Sequence, residues 1–162
     1  MASAPSFRVL FVCMGNICRS PAAEAVLRHL DGDSGAVEID SAGTIDFHTG
    51  KPSDARMRAA AARRGIPVDV RARQVKAADL ARFDLILAMD HDNLADLRHL
   101  DADGAAGGKL RLFCEFCTRH PHTQVPDPYY GGDEGFELVL DLLEDGCANL
   151  LNQIRSGELA RD

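Results

Sequence analysis

Two rhythms of apolar positions alternate along this chain. Phe7 to Val12 is a continuous apolar run apart from Arg8, the pattern of a strand buried on both faces. Residues 20–30 then read as a helix, with Ser20 as the expected N-cap and Pro21 at the first helical position. Glu24 lies four residues after Ser20 rather than three, so no capping box is expected. A short strand over 37–41 ends in Ser41-Ala42-Gly43-Thr44, and a Gly-bearing loop runs on to about Ser53. Residues 53–64 form an Ala-rich helix stopped by Gly65 and Pro67. Asp84 to Ala88 is a second buried run, followed by a helix at about 90–100 and a short fourth strand from Leu110 to Phe113. The last helix has the clearest period: Phe136, Val139, Leu140, Leu143, Cys147, Leu150, Leu151 and Ile154 share one face.

Strands that alternate with helices imply a mostly parallel sheet covered on both faces. In such folds ligands gather beyond the C-terminal ends of the strands. The residues just after Val12, Ile39, Ala88 and Phe113 are therefore the candidates for function. The chain shows no internal repeat, linker or low-complexity tract, so residues 1–162 are expected to form a single domain.

Composition changes this picture in three respects. Apolar residues make up 46%, enough for a core that needs no disulfide or structural metal. The formal net charge of −7 argues against a nucleic-acid partner. Charge is also uneven: residues 51–82 hold nine of the eighteen Lys and Arg and three acids, while 127–162 hold nine acids and two Arg. That basic stretch either draws acidic partners toward a ligand site or is simply a solvated face. No stretch is apolar for long enough to insert in a membrane, and the N-terminus lacks the pattern of a secretory signal. Five cysteines without such a signal fit a reducing, cytoplasmic location.

The segment leaving the first strand reads Cys13-Met14-Gly15-Asn16-Ile17-Cys18-Arg19-Ser20-Pro21. A short loop between a strand end and a helix start can curl until its backbone N–H groups converge on one anion. The helix adds its positive end to the same spot. Gly15 and Asn16 tolerate the backbone angles such a curl demands. Arg19 can grip two phosphate oxygens at once, which lysine cannot. The same positive field favours the thiolate of Cys13, able to attack phosphorus and form a phosphocysteine. Ser20 is near enough in sequence to donate a hydrogen bond to that sulfur.

Val12 to Pro21 resembles the phosphate-binding loop of the low-molecular-weight protein tyrosine phosphatases. Further matches follow in family order over nearly the whole chain: Asp40-Ser41-Ala42-Gly43-Thr44, Ala72-Arg73-Gln74, Met89-Asp90 with Asn93, and Asp127-Pro128-Tyr129-Tyr130-Gly131. The resemblance implies a flavodoxin-like three-layer sandwich with a four-stranded parallel sheet and helices on both faces. It implies no metal and no organic cofactor. It assigns the general acid to Asp127, whose flanking Pro126 and Pro128 stiffen the backbone. It also implies that Phe47, Tyr129 and Tyr130 wall the cleft, a surface suited to a phenyl phosphate. Cys18 would form a protective disulfide with Cys13 under oxidation. The expected partner is a phosphotyrosine-bearing protein, a tyrosine kinase among the candidates. Two departures stand out. Phe47 stands near a position where members of the family often carry Trp or Tyr, and Val70 replaces a histidine that some members carry, leaving loop support to Ser41 and Asn16.

Cys114, Cys117, His120 and His122 form a second cluster whose first pair has zinc-like spacing, although structural zinc sites usually place the second pair well downstream. Cys147 reads as core. Two other enzyme readings remain open: a thioredoxin-coupled arsenate reductase, which needs a shuttling cysteine pair that residues 80–100 lack, and a phosphatase for small phosphoesters or phosphoarginine. A binding module without catalysis would lack Cys13, Arg19 or Asp127, and all three are present.

Overall fold

A computed structural model describes residues 7–32, 34–129 and 131–159. Its centre is a four-stranded sheet of β1 (Phe7–Cys13), β2 (Val37–Gly43), β3 (Leu85–Ala88) and β4 (Leu110–Leu112), in the order β2-β1-β3-β4. All three pairings are parallel, with Cys13 opposite Gly43 and Val12 opposite Ala88. This is the expected flavodoxin-like sheet.

The strand alternation sorts the core into two layers. Val9, Phe11, Leu85 and Leu87 pack with α1 (Arg19–Asp31), α2 (Ala55–Ala62) and α5 (Asp133–Ser156). Leu10, Val12, Ile86 and Ala88 pack on the other face with Leu80 of α3 (Ala77–Arg82) and Leu94 and Leu97 of α4 (His91–Leu100). In α5 the expected stripe is buried from Phe136 to Leu151, and Ile154 is half-buried. Gly146 lets α5 approach the sheet, because a Cβ there would sit 2.4 Å from the Phe113 ring, which in turn packs on Phe11. Among the described residues no helix is long and apolar enough to cross a membrane.

Three sequence expectations are corrected. The first helix begins at Arg19 with Cys18 at its N-cap, so Ser20 is not the cap and Pro21 is the third helical residue. The Ser20 hydroxyl turns toward Cys13 instead of the helix N-terminus. The second strand runs two residues beyond 41, through Gly43, because Gly43 pairs onward with the 73–75 segment. The expected pattern had no element between Gly65 and Asp84, where α3 forms. Six residues are too few to show a period, and α3 starts on a local bond from the Lys76 N–H to Asp79.

Candidate active site

The loop from Cys13 to Arg19 is held in its curl from outside. Thr44 and Ile45 donate backbone N–H groups to the Cys13 and Met14 carbonyls at 2.9 and 3.1 Å, and Asp54 donates to the Ile17 carbonyl at 2.8 Å. Gly43 lies against the loop so closely that a Cβ would stand 2.6 Å from the Met14 carbonyl oxygen. Asn16 takes the left-handed conformation, with φ 55°, and no other non-glycine among the described residues does so. With the carbonyls turned outward, no protein acceptor among the described residues takes the backbone N–H groups of Met14, Gly15, Asn16, Ile17 or Cys18. Those donors form an anion-binding nest at the start of α1.

Cys13 is buried at the end of the central strand, its sulfur 2.9 Å from the Ser20 oxygen. Behind this contact runs a buried polar chain. The Asn16 amide nitrogen donates to Ser20 at 2.8 Å and to Ser41 at 3.1 Å. Its oxygen accepts from the Arg73 backbone N–H at 3.0 Å. Ser41 donates to Glu24 at 2.7 Å, and Arg28 donates twice to the other oxygen of that carboxylate. Glu24 is only 6% exposed. Burial pushes its carboxyl up from the ordinary range, and the hydrogen bonds from Ser41 and Arg28 partly offset this.

Arg19 is 3% exposed and committed on one edge. Its Nη1 donates to Asp90 at 2.7 Å and to the Val125 carbonyl at 3.0 Å, while Nη2 lies 3.7 Å from Asp127. Burial works against the guanidinium charge, but Cys13, Asp90 and Asp127 outweigh it and hold Arg19 above its usual value. Asp90 also caps α4, its second oxygen accepting from the Asn93 N–H at 2.8 Å. The Asp127 carboxylate accepts from the Tyr129 N–H at 3.0 Å, which points its other oxygen back toward Arg19.

Cys13, Met14, Gly15, Ile17, Cys18, Arg19, Phe47, Asp127 and Tyr129 line one cavity of about 220 Å³, joined by Ile45 and His48. Asn16, Ser20 and Ser41 stand behind its floor. A larger hollow of about 520 Å³ beside α3 contains no cysteine, histidine or arginine. Phe47 is 71% exposed at the mouth, with the Lys51 ammonium 5.5 Å from its ring centre. The Arg56 guanidinium lies 5.4 Å from the Tyr129 ring centre and pairs with Asp54. Tyr130 lies outside the described residues. Burial raises the Cys18 thiol well above its ordinary range, with Asp54 and Cys13 adding to the effect.

Sequence reasoning assigned no role to Glu24, Asp90 or His48. Asp90 offered a signal, an Asp three residues before Asn93 at a strand end, which is a helix cap placed at the ligand edge. The Cys114–His122 cluster is elsewhere. Cys117 donates to the Leu142 carbonyl of α5 at 3.5 Å, and His120 pairs with Asp145 at 2.7 Å. Among the described residues no three His, Cys, Asp or Glu side chains are arranged to hold a metal ion.

Comparison with known proteins agrees over nearly the whole length. The family model for low molecular weight phosphotyrosine protein phosphatase matches residues 8–159. The human low molecular weight phosphotyrosine protein phosphatase is 43% identical over 159 residues, covering 94% of this chain and 99% of its own. A protein tyrosine phosphatase from Entamoeba histolytica, solved with Hepes in its active site, superposes with a TM-score of 0.88 at 43% identity, covering 94% of this chain and 99% of its own. A Drosophila arginine phosphatase superposes at 0.80 with 32% identity, covering 90% of this chain and 96% of its own. The chain belongs to the low molecular weight phosphotyrosine protein phosphatase family.

Proposed function

We propose that the protein hydrolyses phosphotyrosine in phosphoproteins, and aryl phosphates generally, through a phosphocysteine intermediate on Cys13. The observation that carries this is the meeting of Cys13, Arg19 and Asp127 around one cavity whose floor is a ring of free backbone N–H groups. The phosphate seats in that ring, and Arg19 meets its oxygens with the guanidinium edge not engaged by Asp90 and Val125. The Cys13 sulfur attacks phosphorus as the bond to the phenolic oxygen breaks, and Asp127 gives its proton to that oxygen. Water then attacks the phosphocysteine, returning a proton to Asp127. The sulfur leaves as thiolate, receiving a hydrogen bond from Ser20.

Phe47 and Tyr129, which both line the cavity, favour an aromatic leaving group over an alkyl or guanidinium one. Against arsenate reduction by a cysteine shuttle, Cys114 and Cys117 pack toward α5 and do not line the cavity.

The test is aryl phosphate hydrolysis against pH for wild type, Cys13→Ser and Asp127→Asn, with arsenate reduction measured in parallel. The proposal expects no turnover by Cys13→Ser, a large loss of rate in Asp127→Asn together with loss of the fall in kcat/KM on the alkaline side, and no arsenate reduction. Arsenate reduction by wild type with poor aryl phosphate turnover would hand the site to the reductase chemistry.

A further inference from the structure

We propose that Glu24 is a positioning residue that sets the direction of the hydrogen bonds running through Ser41, Asn16 and Ser20 to Cys13. The inference rests on the phosphocysteine reading above and names a part of that machinery which does not touch the substrate.

The direction follows from counting donors. The Asn16 oxygen is fixed by the Arg73 backbone N–H, so its amide nitrogen must face both serines. Ser41 can accept from that nitrogen only if its own hydrogen goes elsewhere, and the Glu24 carboxylate takes it at 2.7 Å. Ser20 also accepts from Asn16, which leaves its hydrogen for the Cys13 sulfur at 2.9 Å, ahead of the Ala42 carbonyl at 3.4 Å. The chain therefore starts at an acceptor that cannot donate while ionised and ends at a donor on sulfur. All of its members between Glu24 and Cys13 are buried, so water cannot repair a reversed bond.

Arg28 makes the arrangement sensitive to one atom. Its Nε and Nη2 both donate to the second Glu24 oxygen, at 3.1 and 2.8 Å. In Glu24→Gln those donors claim the amide oxygen, which turns the amide nitrogen onto Ser41. Ser41 must then accept from that side and point its hydrogen at Asn16, where another donor already stands. The amide of Asn16 tilts, and Ser20 loses its constraint to donate to sulfur. The step that suffers is expulsion of the Cys13 thiolate from phosphorus, because that is when negative charge builds on sulfur.

The experiment is burst and steady-state hydrolysis of para-nitrophenyl phosphate by wild type, Glu24→Gln and Glu24→Gln/Arg28→Met. A parallel pair compares Ser41→Ala with Ser41→Ala/Glu24→Gln, and thermal unfolding is followed for all. Glu24→Gln is expected to lower kcat about tenfold, the scale of one reversed buried hydrogen bond, with a smaller change in kcat/KM. A burst of nitrophenol should accompany it, since the second step becomes limiting. Adding Arg28→Met frees the amide to present its oxygen to Ser41, so kcat should recover to within about threefold of wild type. A merely structural carboxylate predicts further loss there, because Arg28 also holds the Ile39 carbonyl. In the Ser41→Ala background Glu24→Gln should cost nothing more in kcat, a comparison that survives if the single variant folds poorly. Unchanged kcat in Glu24→Gln, or a loss that Arg28→Met does not relieve, would overturn the proposal. Absence of any phosphocysteine in the wild type would instead overturn the mechanism on which it rests.

Discussion

Gly43→Ala isolates the geometry of the phosphate-binding loop from everything else in the site. Gly43 does not have a positive φ, so alanine suits its backbone. The added methyl would stand 2.6 Å from the Met14 carbonyl oxygen and 3.1 Å from both the Asn16 nitrogen and the Gly15 carbonyl carbon. All three atoms are loop backbone, and none belongs to a side chain that can swing aside. Relief to ordinary contact demands a displacement of roughly half to one ångström in the loop or the strand end. A misplacement of that order costs on the order of 10–100-fold in rate when reacting atoms must align. Overpacking of this kind costs only about 1–3 kcal/mol of stability, which the folded core should survive. The assay is kcat/KM on an aryl phosphate beside the inhibition constant for inorganic phosphate and the Tm. Both kinetic constants should worsen by at least tenfold while the protein stays folded. Gly43→Ala with near wild-type turnover and phosphate affinity would refute the claim that the loop is held by its contact with the end of β2.

Other predictions test separate parts of the account. In Cys18→Ser, peroxide should inactivate beyond recovery by dithiothreitol, whereas wild type recovers through a Cys13–Cys18 disulfide; equal recovery would remove that role. The Lys51 ammonium lies 5.5 Å from the Phe47 ring centre and Arg71 is bridged to the neighbouring Pro52; among the described residues neither forms an ion pair with a carboxylate. Lys51→Glu/Arg71→Glu should lower kcat/KM for an acidic phosphotyrosine peptide several-fold at low salt while sparing para-nitrophenyl phosphate, and equal effects on both substrates would contradict the idea. Burial alone would raise the Asp145 carboxyl, but the Thr118 and Arg119 N–H groups, the Thr118 hydroxyl and His120 hold it down to about 2. A carboxyl lowered on folding stabilises above its unfolded value and loses that contribution as pH falls toward 2. Asp145→Asn should therefore cost about 2 kcal/mol in urea unfolding at pH 7, shrinking toward pH 2, and a pH-independent cost would count against this assignment.

The sheet and α5 were legible because their apolar periods are long and uninterrupted. Phe7–Val12 and the stripe from Phe136 to Ile154 needed no tertiary information. Cys13 and Arg19 were legible for a different reason, since a strand, a short loop and a helix start constrain one another locally. Ser20 shows where local rules mislead. A serine before a proline reads as a helix cap, but here the cap position falls at Cys18 and the hydroxyl serves the sulfur. Glu24 was opaque because a glutamate four residues from an arginine on a helix normally marks a solvated face. Only the approach of Ser41 from β2 turns it inward, and no sequence spacing encodes that contact. The Arg19 anchors show the same limit. Asp90 and Val125 come from segments 71 and 106 residues away, and the sheet order alone brings them together.

The most direct test of the central proposal is rapid acid quenching of the enzyme during turnover of a phosphate-labelled aryl phosphate, followed by peptide mapping. Label carried by the peptide containing Cys13 in the wild type, and absent in Cys13→Ser, is the predicted result. Steady turnover with no label on Cys13 would contradict it.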